Sequence, residues 1–263
     1  MTPTTIASIH VYPIKSLGGF SVSQVQLTDR GLEHDRRWML IDPDGRFLSQ
    51  RECSAMACLH CAPHGNGFRV TDTRNGTTLD VPWSITDGTR INAKVWDDEV
   101  ELILGNVSME QWFSEALQRP VRPGYMPDST FRSTDPNYAN VPVALNDGFP
   151  ALIISQASLD ELNARLKTPV PMERFRPNFV IDGGQPFQED EWKELSIGKL
   201  SFSIVKPCAR CVIITTDQRT GERSSEPLRT LASYRSVENK VRFGMNATFA
   251  GTGVIHVGDP VNA

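Results

Sequence analysis

The chain has 263 residues, enough for one large domain or two ordinary ones. Its 39% hydrophobic and 22% charged residues are typical of a globular protein, and no apolar run approaches the roughly 20 residues that cross a bilayer. A net charge of −4 argues against nucleic acid or a membrane surface as a general partner, so any anion-binding site must be local.

The N-terminal segment, residues 1–5, has no cationic region followed by an apolar stretch, and no signal peptide is therefore predicted. We expect a cytoplasmic protein, in which thiols stay reduced. The odd number of cysteines, 5, also fits poorly with a framework of disulfides.

Roughly the first hundred residues are predicted to form short antiparallel strands separated by turns. Asp42-Pro43-Asp44-Gly45 predicts the turn of one hairpin, and Asp97-Asp98 that of another. This pattern favours a barrel or a sandwich. The predicted strands are 6–12, 24–27, 38–41, 46–49, 91–96 and 99–104.

The first helix is predicted over Ser108–Leu117, with Ser108 as its N-cap and Gln111 completing a capping box. Residues 120–150 are rich in Pro, Asn, Asp and Ser and show little regular pattern. That is long for a loop in a compact domain, so the segment is either a connection between domains or part of a site.

The second half mixes strands with helices, which predicts two packed domains, 1–120 and 121–263, in a β-rich α+β fold. A second helix is predicted to begin at Ser158, capped with Glu161, and a third to span Glu226–Tyr234. The strands predicted here are 151–155, 179–181, 200–205, 212–216 and 254–257.

Cys53, Cys58 and Cys61 have the C-x4-C-x2-C spacing of plant-type ferredoxins. His60 and His64 lie beside them, so zinc is a second candidate metal. A ferredoxin cluster needs a fourth cysteine downstream, and the next one is far away in the sequence. We interpret the three as structural cysteines, because free cysteines usually pack as small hydrophobic residues.

A turn predicted at Pro207 presents the two thiols of Cys208 and Cys211, with Arg210 directly beside Cys211. A neighbouring cation lowers the pKa of a thiol, so the pattern predicts a thiolate at the end of a strand. A thioredoxin-type dithiol normally opens a helix, whereas a β-branched run, 212–216, follows here. Metal ligation is therefore favoured over redox exchange.

Three basic patches lie in predicted loops: Lys15-Ser16, Asp35-Arg36-Arg37 and 174–178. Arginine matches phosphate oxygens in a bidentate way, and lysine adds a point charge. A thiolate together with such groups indicates a metal cofactor that carries phosphate.

Taken together, five short motifs of this chain resemble those of a known family. Tyr12-Pro13-Ile14-Lys15-Ser16, 31–38, 175–178, 208–211 and Gly258-Asp259-Pro260 together resemble a MOSC protein with an N-terminal β-barrel domain, of the bacterial YcbX type or similar to the mitochondrial amidoxime-reducing component. The resemblance runs in order over nearly the whole chain. It implies an N-terminal β-barrel-like domain packed on a MOSC β-barrel domain flanked by helices.

The resemblance also implies a molybdenum cofactor, a molybdopterin with a terminal phosphate. Cys211 would be the molybdenum ligand and the catalytic residue, with Cys208 as its neighbour. The residues implied to hold the pterin and its phosphate are Lys15, Ser16, Arg36, Arg176, Asn178, Arg210 and Asn246. Asn246 departs from the mitochondrial relatives, which have a tyrosine there.

We therefore expect a molybdenum-dependent reductase of N-hydroxylated or N-oxygenated small molecules. Because the sequence ends at Ala263, without the ferredoxin-like domain of many YcbX-type proteins, the electron donor is expected to be a separate protein of the ferredoxin or flavin reductase type. The alternatives are a module that carries the cofactor or sulfur without turnover, and a plain dithiol or Fe–S protein.

Overall fold

The computed structural model describes residues 4–263 and confirms a β-rich α+β fold with a curled half-barrel sheet and a large mixed sheet. Residues 1–3, part of the segment in which no signal peptide is predicted, lie outside the described residues. The strands are β1 (Thr5–Val11), β2 (Phe20–Val22), β3 (Gln24–Thr28), β4 (Gly31–Leu32), β5 (Trp38–Ile41), β6 (Leu59–His64), β7 (Gly67–Asp72), β8 (Thr78–Pro82), β9 (Arg90–Val95), β10 (Asp98–Leu104), β11 (Arg122–Tyr125), β12 (Ala151–Ser155), β13 (Phe179–Asp182), β14 (Glu194–Ile197), β15 (Leu200–Ala209), β16 (Ser236–Val237), β17 (Lys240–Ala250), β18 (Gly253–His256) and β19 (Val261–Asn262). The α-helices are α1 (Val107–Leu117), α2 (Gln156–Arg165) and α3 (Leu228–Tyr234).

The large sheet has the strand order β19-β14-β15-β17-β12-β13-β1-β2, with β16 added beside β17. Its pairs are antiparallel except β12–β13. A pairing irregularity between Ile6 and Ser8 interrupts the alternation of β1, and Ile6, Ile9 and Val11 are all buried in one core with Phe179 and Phe202. Burial of that face stabilises the sheet, because folding removes the apolar area from water.

The first half of the chain supplies two smaller sheets, β5-β11-β10-β9 and β6-β7-β8. The predicted hairpin of β9 and β10 is confirmed. Trp38 and Phe113, on β5 and α1, are fully buried in a core of their own. A third small sheet, β18-β3-β4, joins a strand near the end of the chain to strands near its beginning.

Residues 46–49 return antiparallel beside β5 as predicted, through the bridge between Phe47 and Ile41 and the hydrogen bond from Leu48 N to Leu40 O, but they form no continuous strand. β5 also pairs with β11, which was not predicted. The apolar sequence of β5 predicts a strand, but only the folded chain determines that its neighbour comes from the long segment 120–150.

All three helices exist, but their predicted N-terminal caps are corrected. Asn106, not Ser108, caps α1, since its side chain accepts a hydrogen bond from Met109 N. Ser155, not Ser158, caps α2, and the third helix begins at Leu228 rather than Glu226. Asn and Ser are equally good caps, so the sequence pattern alone leaves such ambiguity.

The stretch from 200 to 216 also differs from its prediction. Pro207 does not mark a turn: β15 continues to Ala209, with pairing irregularities on both sides of Pro207, which has no N–H to donate. Residues 212–215 form a single 3-10 turn rather than a strand. The thiol of Cys211 therefore lies at the junction between the end of the long strand and this turn.

Within residues 4–263, no helix is long and apolar enough to cross a membrane.

Candidate functional site

One cleft, with about 780 Å³ of empty space, opens where the large sheet meets the loops of the first half. Its walls come from loop ends after β1 and before β5, from the segment before β13, from the end of β15 and from β17. The structure brings every sequence-predicted site residue to this cleft: Lys15, Ser16, Arg36, Arg176, Asn178, Arg210, Cys211 and Asn246.

The cleft is strongly cationic although the protein as a whole is acidic. Asp147 is the only acidic residue among the described residues that line it. The cations of the lining are Lys15, Arg36, Arg51, Arg174, Arg176 and Arg210. A concave surface lined by one sign of charge concentrates ligands of the opposite sign, so the cleft is suited to an anion.

Lys15 and Asp147 form an ion pair at one side of the cleft. The Lys15 side chain is buried, and its Nζ donates to Asp147 Oδ1 at 2.5 Å and to Leu145 O at 2.8 Å. Burial lowers the pKa of Lys15 to about 8, while Asp147 acts in the opposite direction. For Asp147, desolvation raises the pKa, but the charges of Lys15 and Arg51 outweigh it and hold the pKa well below its usual range.

Arg51 is a cation that interacts with Cys211 and that the sequence did not single out. Arg51 donates to Asp147 Oδ2 at 3.1 Å and lies 4.6 Å from the Trp96 ring. Burial acts to lower the pKa of Arg51, but Asp147 and Cys211 outweigh it and raise that pKa. Arg51 is thus held from two sides beside the thiol.

Two nitrogens of Arg210 donate hydrogen bonds to backbone carbonyl groups. Its Nε donates to Phe243 O at 2.8 Å and its Nη1 to Phe175 O at 2.9 Å. The third nitrogen, Nη2, is buried and has no hydrogen-bond partner among the described residues. A buried donor without a partner costs free energy, so an acceptor on a ligand would satisfy this group.

The charge of Arg210 acts on Cys208. Burial raises the pKa of the Cys208 thiol, and Arg210 opposes that shift. Both cysteines line the cleft and both are free thiols.

Three polar residues of the cleft have left-handed backbones. Ser16, Arg36 and Arg176 have φ angles of 68°, 49° and 56°. Non-glycine residues rarely adopt these angles, and strained positions cluster at functional sites. A contact to the Ser16 backbone comes from Gln50, whose side chain donates to Ser16 O at 2.7 Å and pairs with Gln218 at 3.3 Å.

Asn178 and Asn246 use their amides within the protein. Asn178 is buried, accepts from Leu152 N at 3.2 Å and donates to His10 O at 3.2 Å, and so ties β1 to β12. Asn246 donates to Lys206 O at 3.3 Å across β15 and β17. Both line the cleft, but these hydrogen bonds position strands around it.

The cysteines of the first half lie outside the cleft. Cys58 and Cys61 are buried, and Cys61 packs in the core that contains Trp38. Within residues 4–263, no group of three or more His, Cys, Asp or Glu side chains is arranged to hold a metal ion.

Sequence reasoning missed Arg51, Asn146, Asp147 and Phe149, all of which line the cleft. The available signal was the long irregular segment 120–150, whose last residues include three of the four. Arg51 follows a polar turn without a recognisable motif, so nothing in the sequence distinguishes it from a surface arginine.

Comparison with known proteins decides the family. The MOSC N-terminal beta barrel domain matches residues 3–120, and the MOSC domain matches residues 140–262. The chain belongs to the MOSC family. The predicted division at 120/121 stays a prediction, and strand pairs such as β5–β11 and β1–β13 cross it.

The MOSC chain is similar to two kinds of curated protein. It is 32% identical to mitochondrial amidoxime-reducing component 1 of Homo sapiens, over 98% of this chain and 82% of that protein. Mitochondrial amidoxime reducing component 2 of Rattus norvegicus gives the same identity and coverage. The molybdenum cofactor sulfurase of Oryza sativa subsp. japonica is 35% identical over 91% of this chain, which spans only 32% of the sulfurase.

Proposed function

We propose that this MOSC protein binds a molybdenum cofactor in the cleft and uses it to reduce N-hydroxylated and other N-oxygenated small molecules. The observation that carries the proposal is the convergence of a free thiol, Cys211, and six cationic side chains in one cleft. The similarity to amidoxime-reducing components over most of their length supports the reaction class.

The side chains of the cleft fit a molybdopterin. Thiolate is a soft ligand of the kind that such metals accept, and guanidinium groups match phosphate oxygens. The unpartnered Nη2 of Arg210 and the equally unpartnered Nε of Arg174 are donors that the protein itself does not satisfy among its described residues. An anionic cofactor would supply the missing acceptors.

When bound, the cofactor would supply two-electron chemistry that removes oxygen from the substrate. The chain's own residues bind and orient it. Cys211 would ligate molybdenum, with Arg51 beside it. The remaining proposed ligands of the pterin and its phosphate are Lys15, Ser16, Arg36, Arg176, Asn178, Arg210 and Asn246.

Electrons would come from a separate donor protein of the ferredoxin or flavin reductase type, and the reaction would take place in the cytoplasm. We propose a small N-hydroxylated substrate, such as an amidoxime or an N-hydroxylated nucleobase, and neither nucleic acid nor membrane as a partner.

Elemental analysis by plasma mass spectrometry tests the proposal. The full chain, Cys211→Ala and the matched control Cys208→Ala are expressed in a host that makes molybdopterin. We expect near-stoichiometric molybdenum in the wild type and in Cys208→Ala, and its loss in Cys211→Ala. Turnover of an amidoxime with a chemically reduced dye should follow the molybdenum content.

The second candidate function is a carrier of the cofactor or of sulfur, which the two free thiols in one cleft favour. A carrier would release molybdenum readily and show no turnover with the dye. Equal molybdenum in wild type and Cys211→Ala would contradict the assignment of Cys211 as the ligand. No molybdenum in either protein would contradict the proposed reductase.

A further inference from the structure

Tyr12 lies directly behind the cationic wall of the cleft. The guanidinium carbon of Arg36 is 4.3 Å from the centre of the Tyr12 ring, and that of Arg176 is 4.4 Å from it. Arg36 and Arg176 line the cleft, whereas Tyr12 does not. One aromatic ring thus contacts two of the cations that line the cleft and that an anion bound there would meet.

The hydroxyl of Tyr12 takes no part in this arrangement. It is buried and has no hydrogen-bond partner among residues 4–263. Burial raises the pKa of Tyr12 to about 12, with the two arginines opposing the shift, so the ring remains a neutral phenol. The ring face is therefore what Tyr12 offers to the arginines, through cation–π attraction.

Holding the two arginines together requires such a support. Burial is the largest cause that lowers the pKa of Arg176, to about 10, and repulsion from the charge of Arg36 is the second. Of the two arginines, only Arg36 is hydrogen-bonded to Asp35: its Nη1 lies 2.8 and 2.6 Å from the two carboxylate oxygens. The charge of Asp35 also acts on Arg176, but without a hydrogen bond. Asp35 also accepts from Tyr12 N at 2.9 Å, so the ring, the carboxylate and Arg36 form one unit.

Hydrogen bonds to backbone carbonyl oxygens also hold Arg36 and Arg176 in place. Arg36 Nη2 donates to Arg176 O at 3.3 Å, and Arg176 Nη1 donates to Leu17 O at 2.6 Å. Arg176 has no carboxylate partner among the described residues. Its position depends on the Tyr12 ring and on these two backbone contacts.

We propose that Tyr12 is a positioning residue whose ring, and not whose hydroxyl, holds Arg36 and Arg176 side by side as a receptor for a doubly charged anion such as a phosphate monoester. The inference rests on the proposed function for the identity of that anion. Two like charges fixed on one ring match a dianion better than a monoanion, because binding relieves their mutual repulsion.

A fluorination series tests the role of the ring without changing its shape. Tyr12→Phe is the reference, and 4-fluoro- and 3,4,5-trifluorophenylalanine at position 12 withdraw charge from the ring face in steps. The probe is inorganic phosphate, titrated calorimetrically at low salt into the full-length chain made in a host that lacks molybdopterin. We expect the affinity to fall at each step, to about tenfold below the reference for the trifluorinated ring.

Tyr12→Phe should bind phosphate within about twofold of the wild type, and Tyr12→Leu should bind about tenfold more weakly. The same fluorinated residues at Tyr125, whose ring lies 5.1 Å from Arg37 outside the cleft, are the matched control and should leave phosphate affinity unchanged. Melting temperatures identify any variant that fails to fold.

An affinity that does not respond to fluorination at position 12, in variants that melt like the reference, would overturn the proposal. So would a loss in Tyr12→Phe as large as that in Tyr12→Leu. Molybdenum content of the same variants, measured in the molybdopterin-producing host, separates the two proposals. A fluorination-sensitive phosphate site in a chain that never retains molybdenum would sink the proposed function and leave the role of Tyr12 standing.

Discussion

At the scale of single residues, Lys15 is the least expected member of the cleft. Lysine is rarely buried, yet this residue is 3% exposed and depends on Asp147 to remain charged. Asp147 in turn holds Arg51 beside Cys211, so one carboxylate sets the positions of two cations. Loss of that carboxylate would leave two neighbouring positive charges without compensation.

The lowered pKa of Lys15 predicts how stability depends on pH. Between pH 8 and 10.5 the unfolded chain holds a proton on Lys15 that the folded chain has largely lost, so stability should rise with pH across this window. Relative to Lys15→Met, the wild type should gain up to roughly 3 kcal/mol, at about 1.4 kcal/mol per pKa unit. Urea unfolding of the cofactor-free wild type and of Lys15→Met at several pH values measures this difference in stability.

The matched control for this prediction is Lys199→Met, at an exposed lysine, which should follow the wild type at every pH. A stability difference between wild type and Lys15→Met that stays flat from pH 8 to 10.5 would contradict the lowered pKa.

Residue chemistry also shows what the sequence could and could not reveal about the site. Lys15, Arg36 and Arg176 belong to recognisable basic patches, and their convergence in the cleft follows from strand ends that meet. Arg51 and Asp147 belong to no motif, and their importance arises only because a polar turn and a long loop are brought next to Cys211. Pairing between distant segments is a property of the fold rather than of local pattern.

At the scale of elements, the β-branched run 212–216 predicts a strand, but residues 212–215 form a 3-10 turn. Val, Ile and Thr favour strands, but that preference is decided by neighbours on a pleated surface. After Cys211 the chain leaves the sheet, and Ile214 is buried among the residues around α2 and α3 instead. Tertiary packing therefore overrides local propensity here. The strands with clear alternation, such as β3 and β10, were predicted correctly.

The corrected cap of α1 gives a prediction at the same scale. Asn106→Ala removes the side-chain acceptor of Met109 N and should lower the free energy of unfolding by about 1 kcal/mol. Ser108→Ala, at an exposed position inside the first turn, should change it by only a few tenths of that amount. Chemical denaturation of both variants measures the difference. Equal effects would restore Ser108 as the cap.

At the scale of the whole molecule, strands of the first half of the chain pair with strands of the second half. β1 pairs with β13 and β3 pairs with β18, while β11 is incorporated beside β5 in the first half. The sequence predicted a β-rich first part and a mixed second part, and the fold class is confirmed. The sequence could not reveal the pairs β1–β13, β3–β18 and β5–β11, since strand partners far apart in sequence carry no local signal.

These pairings predict the behaviour of separated halves. Expressed alone, residues 1–120 would lack β11, and residues 121–263 would lack β1 and β3. We expect neither half to unfold cooperatively or to bind phosphate, and co-expression of the two to restore both properties. Circular dichroism melting and calorimetry report these properties. A cooperative, phosphate-binding half would show that the crossing strands are dispensable.

The left-handed backbone of the cleft residues has a consequence for how this sequence can change over time. At Ser16, threonine is the closest chemical relative, but its branched side chain is poorly tolerated at a φ of 68°. Asparagine differs more in chemistry and yet accepts this conformation readily. The backbone conformation at Ser16 should therefore restrict substitutions more strongly than the chemistry of the side chain does. Serine to threonine should be the more damaging substitution and serine to asparagine the less damaging one.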